Sequence, residues 1–348
     1  MYNHIPAYVN DLERVVSEPI PWPEIDKASI LVAGANGLIG SFFVDCLMHR
    51  NRTRGSGIIL YALCRDGPKA EKRFRDYLPD ENFHLIIQDV CEALACEMHF
   101  DYIIHAAGNA HPLAFAVAPV ETMKANILGS LNLLEYARTR NPRRFIFVSS
   151  TEIYGWNDSG EHGLKEDYCG RLDCLNPRAA YPEGKRASET LCAAYHKEHA
   201  INVVIARPGY IYGPTMIEDT TKADAQFIRN ALKGVNIVMK SPGTQRRSYC
   251  HVSDMASSLL YLMTYAENAA AYNVADSSST ATIREFAETL AGIAGVALVY
   301  ENPDDLEKAG YSQAGNGVLD ADKLESLGWR ARVSLPEGLR SVMHILRR

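Results

Sequence analysis

The chain has 348 residues, 47% of them hydrophobic and 22% charged, a balance that excludes a disordered chain, a collagen and a pure coiled coil. At roughly 150 residues per domain, this length calls for two lobes or one large domain with a sizeable core. A net charge of −6 gives no global basic field, so neither nucleic acid nor a membrane surface is expected as a partner.

Residues 1–22 carry no basic segment followed by an apolar one, and Asp11, Glu13 and Glu18 argue further against a secretory leader. No apolar run approaches the length of a membrane span. Pro19, Pro21 and Pro23 predict an extended connection before residue 27. Branched and apolar runs then predict buried strands over 29–35, 58–64, 83–90, 102–107, 144–150 and 202–206. Between them, helical periods cover 39–49, 120–139 and 187–199. Repeated alternation of this kind predicts an α/β fold: a doubly wound parallel sheet with helices on both faces. Beyond Gly209 the pattern loosens, with helices expected over 219–234, 283–293 and 335–346 and an extended run over 236–240. The eight cysteines are scattered without a Cys-x-x-Cys pair and read as reduced thiols of a cytoplasmic protein. Cys169 and Cys174 alone do not make a zinc set, and no metal is expected.

The sharpest local signal is Gly34-Ala35-Asn36-Gly37-Leu38-Ile39-Gly40, which follows a predicted strand and opens a predicted helix. Glycines there let the backbone turn tightly and approach a pyrophosphate, which the helix N-terminus then meets with free N–H groups. The second strand ends Cys64-Arg65-Asp66 where an acid would normally hold the adenosine ribose, so Arg65 leaves NADP open beside NAD. A cycle that returns its hydride has no need of a phosphorylated pool, and NAD is the expected cofactor. Tyr181 and Lys185 lie four residues apart on one helix face, where an ammonium could bring a phenol within reach of a proton-acceptor role. Ser149-Ser150-Thr151-Glu152 closes the fifth strand, at the carboxyl edge where ligands of open α/β sheets bind.

Together these features resemble the extended short-chain dehydrogenase/reductases that act on nucleotide sugars. Further landmarks are His105-Ala106-Ala107-Gly108, Asn126-Ile127-Leu128-Gly129, Arg207-Pro208, Tyr212-Gly213-Pro214, and Arg247 followed by Val252-Ser253-Asp254. The resemblance implies a Rossmann-type sheet with a smaller C-terminal substrate-binding lobe. It divides the chain into an extension (1–27), a dinucleotide-binding domain (28–209, with 249–276 returning to it) and a substrate lobe (210–248 and 277–348). It implies that Gly34, Asn36, Gly37, Leu38, Ile39 and Gly40 carry the pyrophosphate. Asp89 and Val90 would flank adenine, and Arg65, Ala106, Ala107, Gly108, Asn126, Ser149 and Pro208 would complete the cofactor groove. Ser150, Thr151, Glu152, Tyr181 and Lys185 would be catalytic, Lys185 also holding the nicotinamide ribose, and Arg178, Tyr210 and Arg247 would meet the substrate.

Within that family, Asn176-Pro177-Arg178 and Tyr181-Pro182-Glu183-Gly184-Lys185-Arg186 look most like UDP-glucuronate decarboxylases. The related 4,6-dehydratases place Asp where Thr151 stands, and the 4-epimerases commonly lack the Glu, so Glu152 points to chemistry at C5 or C6. Two positions depart from the decarboxylase pattern: Tyr210 replaces an Asn and Thr215 an Arg. The expected function is a decarboxylase acting through transient C4 oxidation, with a 4-epimerase or 4,6-dehydratase as alternatives. A sensor or scaffold that merely binds the cofactor would need the glycine loop but not Ser150, Tyr181 and Lys185. The helices over 120–139 and 187–199 resemble those that pair two copies in the family, so a homodimer is expected.

Overall fold

Six apolar runs become β1 (Ser29–Ala33), β2 (Ile59–Cys64), β3 (Phe83–Ile87), β4 (Tyr102–His105), β5 (Arg144–Val148) and β6 (Val203–Pro208). A computed structural model describes every residue except 1, 109, 111, 158–162, 217–219, 304, 306–307, 309–310, 312–314 and 348. Beyond these strands come β7 (Tyr210–Tyr212), β8 (Ile237–Met239), β9 (Arg246–His251), β10 (Ala270–Val274), β11 (Thr280–Thr282) and β12 (Leu298–Tyr300). The principal helices are α1 (Pro6–Val16), α2 (Leu38–Arg54), α3 (Gly67–Phe74), α4 (Pro112–Val117), α5 (Pro119–Arg140), α6 (Ala180–His199), α7 (Ala223–Leu232), α8 (Val252–Thr264), α9 (Ile283–Ala294) and α10 (Leu335–Leu346).

Among the described residues the main sheet runs β3-β2-β1-β4-β5-β6-β10, and every neighbouring pair is parallel. It is the expected doubly wound sheet. Side chains alternate along β1: Ile30 and Val32 enter the core beneath α2 and α8, while Leu31 and Ala33 enter the core beneath α5 and α6. Burial on both faces is why these strands read as apolar runs. The chain leaves β1 towards β2 and β3, then returns to β4 on the other side of β1, so the strand order reverses there. A crevice opens at that reversal, at the carboxyl ends of β1 and β4. A second apolar cluster gathers Tyr212, Phe227, Tyr249, Phe286 and Leu339 around β7, β9, α7, α9 and α10.

The stretch before residue 27 is not the extended connection its prolines suggested. Pro6 stands at the first position of α1, where its missing N–H costs nothing, and Tyr8, Leu12, Val15 and Val16 are buried in the main core. Helical spacing of those four residues was the available signal. Buried Asp45 of α2 anchors the helix by accepting from Tyr8 Oη, from Tyr77 Oη at 3.0 Å and from the Arg73 guanidinium. At the other end of the chain, Ser341 Oγ of α10 donates to Asp11 Oδ2 at 3.1 Å, and Arg332 Nε lies 2.8 Å from Glu18 Oε1. Among the described residues no helix is long and apolar enough to cross a membrane.

Candidate active site

The glycine loop fits against the neighbouring strand with no room to spare. Gly34 has φ +77, and a Cβ there would lie 2.7 Å from the Ala106 carbonyl oxygen and the Ala107 nitrogen. This left-handed residue is also why β1 stops at Ala33, short of the expected end. A Cβ on Gly40 would lie 2.4 Å from the Gly34 carbonyl oxygen, so that glycine lets the helix pack on the turn. Gly37 caps α2 without a side-chain hydrogen bond, leaving the first-turn amides around Leu38 and Ile39 to an outside acceptor. Further along the crevice, Asn126 is fully buried; its amide nitrogen donates to the Thr122 carbonyl, while Oδ1 faces Gly108 without a partner. An orphaned buried oxygen and a cradle that side chains would fill suit a dinucleotide.

The reacting centre is built where β5 ends and α6 begins. Ser150 caps a short helical turn, its Oγ accepting from the Glu152 amide at 3.2 Å, and it also hydrogen-bonds Tyr181. Tyr181 is 6% exposed, and its ring stacks on Phe115 of α4 with centroids 4.5 Å apart. Burial pushes its phenol above the ordinary value, with Glu152 adding to the rise and the Ser150 hydrogen bond and Arg178 opposing it. Lys185, the expected counter-charge, stands one turn along the helix. Its Nζ sits 6.0 Å from the Tyr181 ring centre and donates instead to the Val148 carbonyl at 2.9 Å. Residues one helical turn apart share a face, yet this ammonium reaches back to the end of β5. Burial pulls Lys185 down to about 8, against an opposing pull from Glu189.

Glu152 and Arg178 form an ion pair at 2.8 Å, with side chains 16% and 6% exposed. The same guanidinium lies 4.5 Å over Phe115, so Arg178, Phe115 and Tyr181 are stacked in sequence. Thr151 is buried beside them, its Oγ1 without a partner. Across the crevice, Arg247 lies 4.1 Å over the Tyr210 ring, its Nε buried and unpartnered, and among the described residues it makes no ion pair.

Other expected residues have structural partners. Ser149 Oγ donates to Glu189, which also holds Arg207 through both carboxylate oxygens, the shortest contact being 2.7 Å. Pro208 ends β6 against Val274. Val90 packs on Gly129, where a Cβ would come within 2.9 Å of its Cγ1. Asp89 accepts from the Cys91 amide at 2.9 Å, and Arg65 is exposed at the rim, 3.9 Å from Asp89. Phe115 was not anticipated. It lies in a short apolar stretch with no period, and its place between Tyr181 and the Arg178 guanidinium marks it.

A model of the NAD dependent epimerase/dehydratase family matches residues 30–275. The chain belongs to this family. It is 35% identical over 314 residues to UDP-glucuronic acid decarboxylase 5 of Arabidopsis thaliana, covering 89% of this chain and 86% of that one. To UDP-glucuronic acid decarboxylase 1 of Xenopus tropicalis it is 31% identical over 348 residues, covering 98% and 78%. Its fold matches that of a dTDP-glucose 4,6-dehydratase of Streptomyces venezuelae solved with NAD bound, at a TM-score of 0.76 and 25% identity over 92% of this chain and 97% of that one.

Two places where this member departs from the decarboxylase pattern have local explanations. Tyr210 offers its ring to Arg247. Thr215 Oγ1 donates to the Leu38 carbonyl at 2.8 Å, tying the segment after β7 to the first turn of α2.

Proposed function

We propose that this chain decarboxylates UDP-glucuronate to a pentose nucleotide in the cytoplasm, by transient oxidation at sugar C4. The observation that carries this reading is the Glu152–Arg178 ion pair set beside Ser150, Thr151 and Tyr181. The 31–35% identity to UDP-glucuronic acid decarboxylases over most of the chain supports it. Gly34, Gly37 and Gly40 with the first turn of α2 would hold the cofactor pyrophosphate, Asp89 and Val90 would flank adenine, and Lys185 would hold the nicotinamide ribose. NAD held there would supply a reversible hydride acceptor for C4, so that the cycle has no net redox.

The chain's residues handle protons and position. Tyr181 Oη receives the C4 hydroxyl proton, and Ser150 fixes that hydroxyl. With C4 a ketone, the C5 carboxylate belongs to a β-keto acid and leaves as carbon dioxide, its bonding pair becoming an enolate. Water then supplies a proton to C5, with Thr151 and Glu152 directing it, and Tyr181 returns its proton to the C4 oxygen as the ketone is reduced again. Held by a guanidinium, Glu152 serves as an oriented anion, and Thr151 is a poor replacement for the acid a 4,6-dehydratase uses to expel a C6 hydroxyl. Arg247 meets the diphosphate or the sugar carboxylate.

Purified protein given UDP-glucuronate and NAD tests the reading. Carbon dioxide and a pentose nucleotide, without accumulation of reduced cofactor, are expected. A mass-conserving isomer would replace the decarboxylase by a 4-epimerase, and a 4-keto-6-deoxy product from a neutral hexose nucleotide would replace it by a dehydratase. Binding without turnover on any nucleotide sugar would favour a sensor or scaffold.

We assign α5 and α6 a second role, as the surface that pairs two copies. The two helices pack on each other, and α5 leaves Val120, Met123 and Leu128 exposed at 65%, 37% and 38%. The cytoplasmic placement is supported by eight cysteines that are all free.

A further inference from the structure

Five side chains close a ring of contacts at the reacting centre, and Phe115 is the one without a polar atom. Ser150 hydrogen-bonds Tyr181, whose ring stacks on Phe115 with the two planes 22° apart. Phe115 in turn carries the Arg178 guanidinium 4.5 Å over its centre. Arg178 pairs with Glu152, and the Glu152 amide donates back to Ser150 Oγ. A guanidinium laid on a ring face keeps its N–H edge free for a carboxylate, so the stack and the ion pair do not compete.

The helix that brings Phe115 here is otherwise a surface element. Leu113 and Val117 of α4 are 38% and 60% exposed, whereas Phe115 is 3% exposed. Both lobes hold α4 in place. It packs on α5 and on the turn Pro177–Ala179 that carries Arg178, and the Leu113 amide donates to Thr221 Oγ1, just ahead of α7, at 3.1 Å. A flat apolar ring moves no proton, but it fixes the spacing of what lies against it.

That spacing separates two tasks in the proposed reaction. Tyr181 and Ser150 serve sugar C4, while Glu152 and Thr151 serve C5. The two carbons are bonded to each other, so their attendants must keep register while the sugar passes from alcohol to ketone to enolate. Once the carboxylate has gone, the ketone has also lost a charged handle, and its retention depends on placement alone.

We infer that Phe115 is a positioning residue that keeps Tyr181 in register with the Glu152–Arg178 pair, so that the 4-keto pentose nucleotide is reduced before it escapes. The inference rests on the decarboxylase reading.

Purified Phe115→Leu and Phe115→Met, which keep an apolar side chain but no flat face, are given UDP-glucuronate and NAD, and the nucleotides formed are identified by mass. The share of product released as 4-keto pentose nucleotide, with one carbon dioxide and one reduced cofactor for each, should rise at least about tenfold over the unaltered chain. Turnover should fall about tenfold to a hundredfold with KM held within about twofold, and the dinucleotide should still bind. Phe115→Tyr restores the plate and should return the share to its original value. A share is a ratio of products, so it does not depend on how much of a preparation is folded, and a side chain that merely filled space would lower the yield without moving it. An unmoved share in both aliphatic variants overturns the inference, as does a Phe115→Tyr chain that leaks as much as Phe115→Leu. If the unaltered chain releases no carbon dioxide, the decarboxylase reading falls and the inference with it, whereas carbon dioxide with an unmoved share removes the inference alone.

Discussion

Arg178 Nη2 donates to Glu152 Oε1 at 2.8 Å, joining the start of α6 to the end of β5 across 26 residues of chain. With so little of either side chain in water, each ion depends on the other for its solvation. Arg178→Ala should therefore leave an uncompensated carboxylate and cost about 2 kcal/mol of stability, read as a lowered urea midpoint. Turnover should fall about a hundredfold, because Glu152 would no longer be held towards C5. Adding Glu152→Gln should recover the midpoint but not the rate. A double variant that regained turnover would reduce the pair to a structural clamp.

Tyr181→Phe removes one oxygen and keeps the ring that stacks on Phe115. The variant should fold and retain the dinucleotide, while turnover drops by about a thousandfold or more with the loss of the proton acceptor. Single-turnover kinetics with UDP-glucuronate would check this, and undiminished activity would remove Tyr181 from the chemistry.

Lys185 predicts the alkaline side of the activity profile. Its ammonium, ordinarily stable to beyond pH 10, is brought down to about 8 by burial. As pH rises through 8, the charge that holds acceptor oxygens is lost. Activity should fall above pH 8, and Lys185→Arg, slower overall, should move that limb upward because a guanidinium keeps its proton. The sign for folding is opposite. Between about 8 and 10.5 the unfolded chain binds more protons at this residue, so its contribution to stability rises with pH in that window and is lost below it.

The paired-helix surface is tested by charge. Leu128→Lys places an ammonium among the exposed apolar residues of α5. Light scattering at micromolar concentration should show a dimer for the unaltered chain and a monomer for the variant, with the thermal midpoint moved by only a few degrees. A monomer in both would remove the second role of these helices.

Much of the fold could be read from the chain because its strands are buried on both sides, and runs such as Ile30 to Ala33 cannot be mistaken for solvent-facing sequence. The strand ends were harder. The run that opens with Ser29 ended two residues early because Gly34 turns left-handed, a backbone fact that composition does not carry. In the site, the family motifs named Ser150 and Tyr181, and the fold sets the two side by side. Spacing did not carry the bond from Lys185 to the Val148 carbonyl, because sharing a helix face says nothing of where a flexible four-carbon chain will end. Phe115 and the Glu152–Arg178 pair are long-range contacts made by side chains whose sequence neighbours give no hint of each other.

The contact between Asp11 of α1 and Ser341 of α10 spans 330 residues. Translated at about ten residues per second, the nascent chain holds α1 outside the ribosome for about half a minute before its last partner exists. Tyr8 can reach Asp45 early, since α2 follows soon after, but the side of α1 that meets α10 stays uncovered throughout synthesis. Helix α1 is thus finished long after it is made, and the half-built protein offers a chaperone an apolar edge that the completed one does not.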